Sequence, residues 1–589
     1  MVENKIHPQL QLALRYERLL TPEFKSMFIT SEQQGIWELV MQYTGDLSEI
    51  ERQYNLQAYD LQGGFAQVFI QKIGILNLSN SAQVIFLSLP TSYEYIDIGL
   101  GKVCAGTISN PNSAFYVTGE GVLLAVIDSG IDYAHPDFID DQGRSRITYL
   151  WDQTLEGTPP EGFSNGVVFT REQINEALSK STKEEQLEVV PSQDLIGHGT
   201  ALAGIAAGNG RGSVGRSNKG VAIACDLIIV KLGVKDNQRP RDIEVMQGIH
   251  YAIEKAEELK MPLVILVGCG NNLTGHNGTA PLELYMEARS ENWICNMVVG
   301  TGNEGDRGSH TSGQVLEGQS QNIQLVIEGE LTSYACCIWK HFSDEMSLVI
   351  QAPNGETTDV LSLLTVNRAY LFDQTAVLIN FSEPVTNAGQ QEIYILFQGQ
   401  GGANINTGIW NLSLSGDSIL QGQYHIWGSI VAQITNLTRF LNPDLNRTLT
   451  SPATAQRITS VAAYNETTMQ IAPFSGRGFT LDERVKPDIT APGVSITVPS
   501  STEGTLYTTL SGTSAASAFI AGAYVIMMAY GILQLGNVNL YGETLKIYLL
   551  RTANRPSINA PYPNNRWGYG ILCLEAALNN MKEIADTSS

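Results

Sequence analysis

The sequence predicts an α/β protein: a parallel sheet covered by helices, with a small α/β segment ahead of it and an all-β sandwich inserted into it. Two changes of pattern along the 589 residues point to this. From about 115 to 310, short and wholly apolar runs alternate with helical stretches, as in a parallel sheet buried on both faces. From about 315 to 430, short alternating runs separated by Gly, Asn and Asp turns take over and helix signals become scarce, as in an antiparallel sandwich. The divisions are therefore 1–95, 96–314, 315–430 and 431–589, the second and fourth making up one α/β domain.

Within 1–95, Ile36–Tyr43 reads as a strand, Leu47–Tyr54 as a short helix, and Ala66–Ile70 and Val84–Leu89 as further strands. In the second division the apolar strands are Val122–Ile127, Asp226–Leu232, Pro262–Val267 and Met297–Gly300, with a long helix over Asp242–Leu259. The inserted strands are Ile323–Glu328, Met346–Ala352, Ala376–Phe381, Glu392–Gln398, Gly408–Ser415 and Tyr424–Ser429. These contain no cluster of catalytic residue types, so the insertion is expected to act by packing. The α/β pattern resumes near 450 and runs to about 580, beyond which disorder is expected.

Composition narrows the partners. Hydrophobic residues make up 43%, enough for a substantial core. The net charge of −23 disfavours nucleic acid or an anionic membrane, since both would repel it. The start, Met1–Lys5, lacks an apolar run, so no signal peptide is expected and synthesis should be cytoplasmic. The longest apolar stretch, Ala518–Ile532, is too short and glycine-containing for a membrane span. Seven cysteines (104, 225, 269, 295, 336, 337 and 573) form an odd set without a CxxC pair, which fits free, buried thiols and no structural metal.

Three residues stand out chemically. Asp128 ends the run Ala125-Val126-Ile127-Asp128, at the carboxyl end of a strand where sites in open α/β sheets gather. His198 lies between two glycines in Ile196-Gly197-His198-Gly199-Thr200, with Thr200 placed to cap a helix over Ala201–Ala207. Ser514 lies in Ser511-Gly512-Thr513-Ser514-Ala515 ahead of an Ala- and Gly-rich helix, whose first N–H groups can donate to an oxyanion. Taken singly, each has an ordinary structural reading: a strand-end cap, a packed histidine, an N-cap serine. In the order Asp, His, Ser they match the chain order of subtilisin's triad.

Five blocks carry that resemblance further: VIDSGID (126–132), GHGTALAG (197–204), GNEG (302–305), KPDITAPG (486–493) and SGTSAASA (511–518). Over about 115–310 and 445–530 the chain resembles the subtilase family of serine proteases. The resemblance implies a subtilisin-like fold with Asp128, His198 and Ser514 as the triad and Asn303 as the oxyanion donor. It also implies that Gly268-Cys269-Gly270, with Gly302 nearby, pairs with bound peptide, the cysteine departing from the family's leucine. Ala201, Ala518 and Phe519 depart from the family's usual residues without removing a catalytic group. The loop Gly208–Ser213 lacks acid and amide calcium ligands, so no tight calcium is expected there, and no cofactor is called for.

His198 and Ser514 are 316 positions apart, against about 160 in subtilisin. The excess matches the β-rich insertion. This layout resembles the Csp germination proteases of spore-forming clostridia, which have a prodomain, a subtilase domain and an inserted jelly roll. The resemblance implies self-cleavage of the prodomain between about 88 and 105, with the stretch Pro90–Tyr95 lying in the cleft. It further implies a cortex-lytic zymogen as substrate and a spore-associated location. A catalytically silent binding scaffold and a cytoplasmic peptidase of broad range are the competing expectations.

Overall fold

The computed structural model describes residues 5–31, 35–95, 115–233, 240–291, 293–362, 366–382, 389–431, 437–556 and 561–588. Cys104 and most of the expected processing segment lie outside them. The chain forms two compact units. One comprises Ser92–Gly270, His276–Asp306 and Asn446–Ser589; the other comprises Met1–Thr91, Asn271–Gly275 and Arg307–Leu445.

The first unit is built on a nine-stranded sheet whose spatial order is Gln470–Ile471, Thr459–Asn465, Cys295–Gly300, Leu263–Val267, Leu123–Asp128, Asp226–Lys231, Ile147–Asp152 and Val167–Thr170; Ile489–Pro492 also pairs with Thr459–Asn465. The central ladders are parallel, and Leu123–Asp128, buried throughout, lies among them. Successive strand side chains alternate between faces. Leu124 and Val126 share a core with Ile520 and Ala523 of the helix Thr513–Met528. Ile127 lies under Gly248 of the helix Asp242–Leu259. An apolar strand with both faces covered leaves its last residue, Asp128, at the carboxyl end of the sheet.

Two expectations for this unit need correcting. The helix Thr513–Met528 continues as far as Gln534, long and apolar enough by length and composition to cross a membrane, but 89% of its most apolar window is buried. Its apolarity is that of a core element packed on several strands. The end of the chain is helical over Leu574–Ser588, where Leu578 and Met581 pack into the core at helical spacing.

In the second unit, the strands Ile29–Ser31, Ile36–Tyr43, Phe65–Gln71, Gln57–Gln62 and Val84–Ser88 form an antiparallel sheet. Beside it stands a sandwich of two antiparallel sheets. The larger has the order His310–Gln314, Gln423–Gly428, Ser333–His341, Gln390–Gly399, Thr375–Phe381 and Asn367–Phe372; the smaller has Glu345–Gln351, Gly408–Ser418, Ser320–Ile327 and Arg439–Phe440. Ile338 and Ile395 of the larger sheet meet Leu325, Trp410 and Leu412 of the smaller in one core. The sandwich therefore runs from His310 to Phe440, wider than 315–430. Its first strand, HTSGQ, is too polar and glycine-containing to read as one.

The other face of the larger sheet is also buried. Ala335, Cys337, Leu378 and Leu396 form a second core with Leu10, Ala13, Leu39 and Val68 of the amino-terminal segment. Hydrogen bonds cross the same contact: the Thr21 N–H donates to Gln398 Oε1 at 2.8 Å and Gln400 Nε2 donates to the Leu19 carbonyl at 2.9 Å. Burial on both faces explains why Ser333–His341 (SYACCIWKH) shows no clean alternation. Six described cysteines are free thiols, five of them buried.

Candidate active site

Asp128, His198 and Ser514 come together although 70 and 316 positions separate His198 from its partners. His198 Nδ1 lies 2.8 and 3.0 Å from the two Asp128 oxygens, and Nε2 lies 2.9 Å from Ser514 Oγ. A carboxylate only accepts, so Nδ1 carries the proton and Nε2 is left to accept from the serine hydroxyl. All three side chains are buried. Ser514 is the second residue of its helix, within the turn whose N–H groups have no acceptor inside the helix.

The helix bearing the imidazole begins at His198 itself, not at Ala201, with Gly197 as N-cap at φ 83°. Thr200 is thus inside the first turn, and its cap is a residue the sequence did not single out. Asp194 accepts from the N–H groups of Gly197 and Thr200 and from the Thr200 hydroxyl. It also accepts from Ser129 Oγ, the neighbour of Asp128. One carboxylate thereby ties the histidine helix to the aspartate strand and complements the helix dipole. The sequence signal was present, an acid three residues before a Gly-His-Gly, but nothing in the pattern distinguished it from a loop acid.

Asn303 Oδ1 accepts from the backbone N–H of Thr513 at 3.0 Å and from its hydroxyl at 3.2 Å. This fixes the amide and leaves Nδ2 buried without a hydrogen-bond partner among the described residues. An unpaired buried donor costs about 1–3 kcal/mol, a cost recovered when an oxyanion arrives. Gly302, at φ 89°, donates its N–H to Thr513 Oγ1, and a side chain there would strike Thr450.

Cys269 and Gly270 form a short strand paired antiparallel with Glu94–Tyr95 of the same chain, Tyr95 opposite Cys269 and Glu94 opposite Gly270. Ser92 bridges Arg241, and the Tyr93 N–H donates to the Pro240 carbonyl at 2.6 Å. The tail is thus held from both sides, and the Tyr95 ring lies 5.8 Å from that of His198. Ser92–Tyr95 accordingly packs with the protease unit, so the compact amino-terminal part ends at Thr91 rather than at 95. Burial, and then the Asp128 charge, push the Cys269 thiol well above its ordinary range, so it stays protonated beside the triad. In the 208–213 loop, Arg211 donates to the carbonyls of Ile139 and Asp140.

The arrangement has the geometry expected of a nucleophilic serine with its base, the base's orienting acid, an oxyanion donor and a peptide-pairing strand. It defines a subtilisin-type site, and the chain belongs to the subtilase family: the family model matches residues 119–363 and 400–570. The Csp protease B prodomain model matches residues 4–91. Among solved structures, the chain is similar to the CspB protease of Clostridium perfringens, with 30% identity and a TM-score of 0.73 over 81% of this chain and 96% of that one. The PII-type proteinase of Lactococcus lactis subsp. cremoris is 23% identical over 70% of the chain, and the minor extracellular protease Vpr of Bacillus subtilis is 24% identical over 77%. The chain spans 23% of the length of the first and 51% of the second.

Proposed function

We propose that the protein is a serine endopeptidase that cuts its own prodomain and then activates a spore cortex-lytic zymogen by limited proteolysis during germination. The observation that carries the first part is the tail: Glu94 and Tyr95 pair with Cys269–Gly270, and the Tyr95 ring lies 5.8 Å from that of His198, as a bound substrate segment would. Ser514 Oγ attacks the carbonyl presented beside it, giving its proton to His198 Nε2; Asp128 stabilises the imidazolium, and Asn303 Nδ2 donates to the oxyanion. His198 then returns the proton to the leaving amine, and water repeats the sequence on the acyl-enzyme. The strand register ends at Tyr95, and the next residue in sequence is Ile96, outside the described residues; we infer cleavage on its carboxyl side.

The likeness to the Csp proteases supports the germination role, with synthesis in the cytoplasm and residence in the spore. A fluorophosphonate probe should label the wild-type protein and not Ser514→Ala. Incubation with a cortex hydrolase zymogen should yield one defined cut. Absence of labelling in folded protein would favour a binding scaffold, and indiscriminate degradation a peptidase of broad range.

A further inference from the structure

The tail in the cleft shows which side chain the protease domain reads most closely. Tyr93 is 2% exposed, more enclosed than either Glu94 or Tyr95. Its phenol oxygen lies 3.2 Å from Ser451 Oγ, and Ser451 is itself fully buried. Burial, and then the Asp242 carboxylate, raise the phenol well above its ordinary range, so the hydroxyl keeps its proton. A pocket for an apolar ring alone would accept phenylalanine equally well. A buried serine facing the ring's hydroxyl is left unpaired by phenylalanine, and that penalty makes a site selective.

We propose that Ser451 is a specificity-determining residue, selecting protein segments that place tyrosine three residues before the one whose carbonyl is attacked. The inference rests on the protease reading above and names its substrate class: exposed, extended segments of the form Tyr-Xaa-Xaa-Xaa cut after the last residue. The self-cleaved segment Tyr93-Glu94-Tyr95-Ile96 is the first example.

The test uses the full chain made in a reconstituted translation system, with self-cleavage slowed into a measurable range by Asn303→Ala. Four chains are compared: the parent, Tyr93→Phe, Ser451→Ala and the double variant. One buried hydrogen bond between neutral groups predicts that each single change slows the cut about 5- to 20-fold. The double variant should be no slower than either single one, because both remove the same interaction. A merely structural role for either residue would give effects that multiply. Equal rates for the parent and Tyr93→Phe, or multiplying losses, would overturn the proposal. If even the wild-type chain is never cut, the protease reading falls instead.

Discussion

A Cβ built on Gly268 would stand 1.9 Å from Asp128 Oδ2, so the triad carboxylate occupies the space a side chain at 268 would need. The peptide-pairing strand and the triad acid therefore constrain each other directly. Gly268→Ala should displace Asp128 and break the bidentate approach to His198. Self-cleavage should fall steeply, toward the roughly 10⁴-fold loss known for a triad acid that no longer orients its histidine. Gel analysis of processing in the variant checks this; cleavage at the wild-type rate would refute it.

Asn303→Ala removes the donor that Nδ2 holds ready for the oxyanion. Subtilisin's loss on removing its oxyanion asparagine, about 10²–10³-fold, sets the expected slowing of single-turnover self-cleavage. The triad is untouched, so the cut should still occur at the same bond, as mass spectrometry of the products would show.

The amino-terminal segment and the sandwich share one core, so cutting the chain after Ile96 should not release the prodomain. The two fragments should co-elute in size-exclusion chromatography and separate only in denaturant. By the same contact, deleting 307–445 would expose Leu10, Leu39 and Val68 and should leave the remainder insoluble. A free prodomain peak at neutral pH without denaturant would contradict this.

Glu392 lies in that shared region, and burial raises its carboxyl from 4.5 to about 7. Between those values the folded state holds a proton that the unfolded chain has lost, so stability falls as pH rises from about 4.5 to 7 and levels off above. Glu392→Gln keeps the shape without the charge. It should stabilise the protein at pH 8 by up to about 3 kcal/mol, with little difference at pH 4.5. Urea unfolding of both proteins at the two pH values checks the sign.

The triad was legible because its residues sit in short blocks whose local structure, a strand end and two helix starts, is written in adjacent residues. Asn303 sits in such a block too, just past the end of the strand Cys295–Gly300. Asp194 was not, because a capping acid in a loop acquires its meaning only when Gly197 and Thr200 turn toward it. The hidden strand Ser333–His341 and the shared core arise from one cause: a strand covered on both faces loses the alternation that identifies it, and its second cover comes from the distant amino-terminal segment. The carboxyl-terminal helix was missed because a chain end suggests disorder unless its apolar residues have a core to meet, as Leu578 and Met581 do.

The most direct test of the central claim is intact-mass analysis of the wild-type protein and Ser514→Ala, both made in a protease-deficient host. Removing the nucleophile costs subtilisin about 10⁶-fold in turnover while adding no bulk. Even slow chemistry acts on a tail already held in the cleft, where effective molarity is high. Wild type should appear as two fragments, residues 1–96 and 97–589, and Ser514→Ala as one full-length chain. A Ser514→Ala protein cut at the same bond, or two folded proteins that both stay whole, would contradict the account.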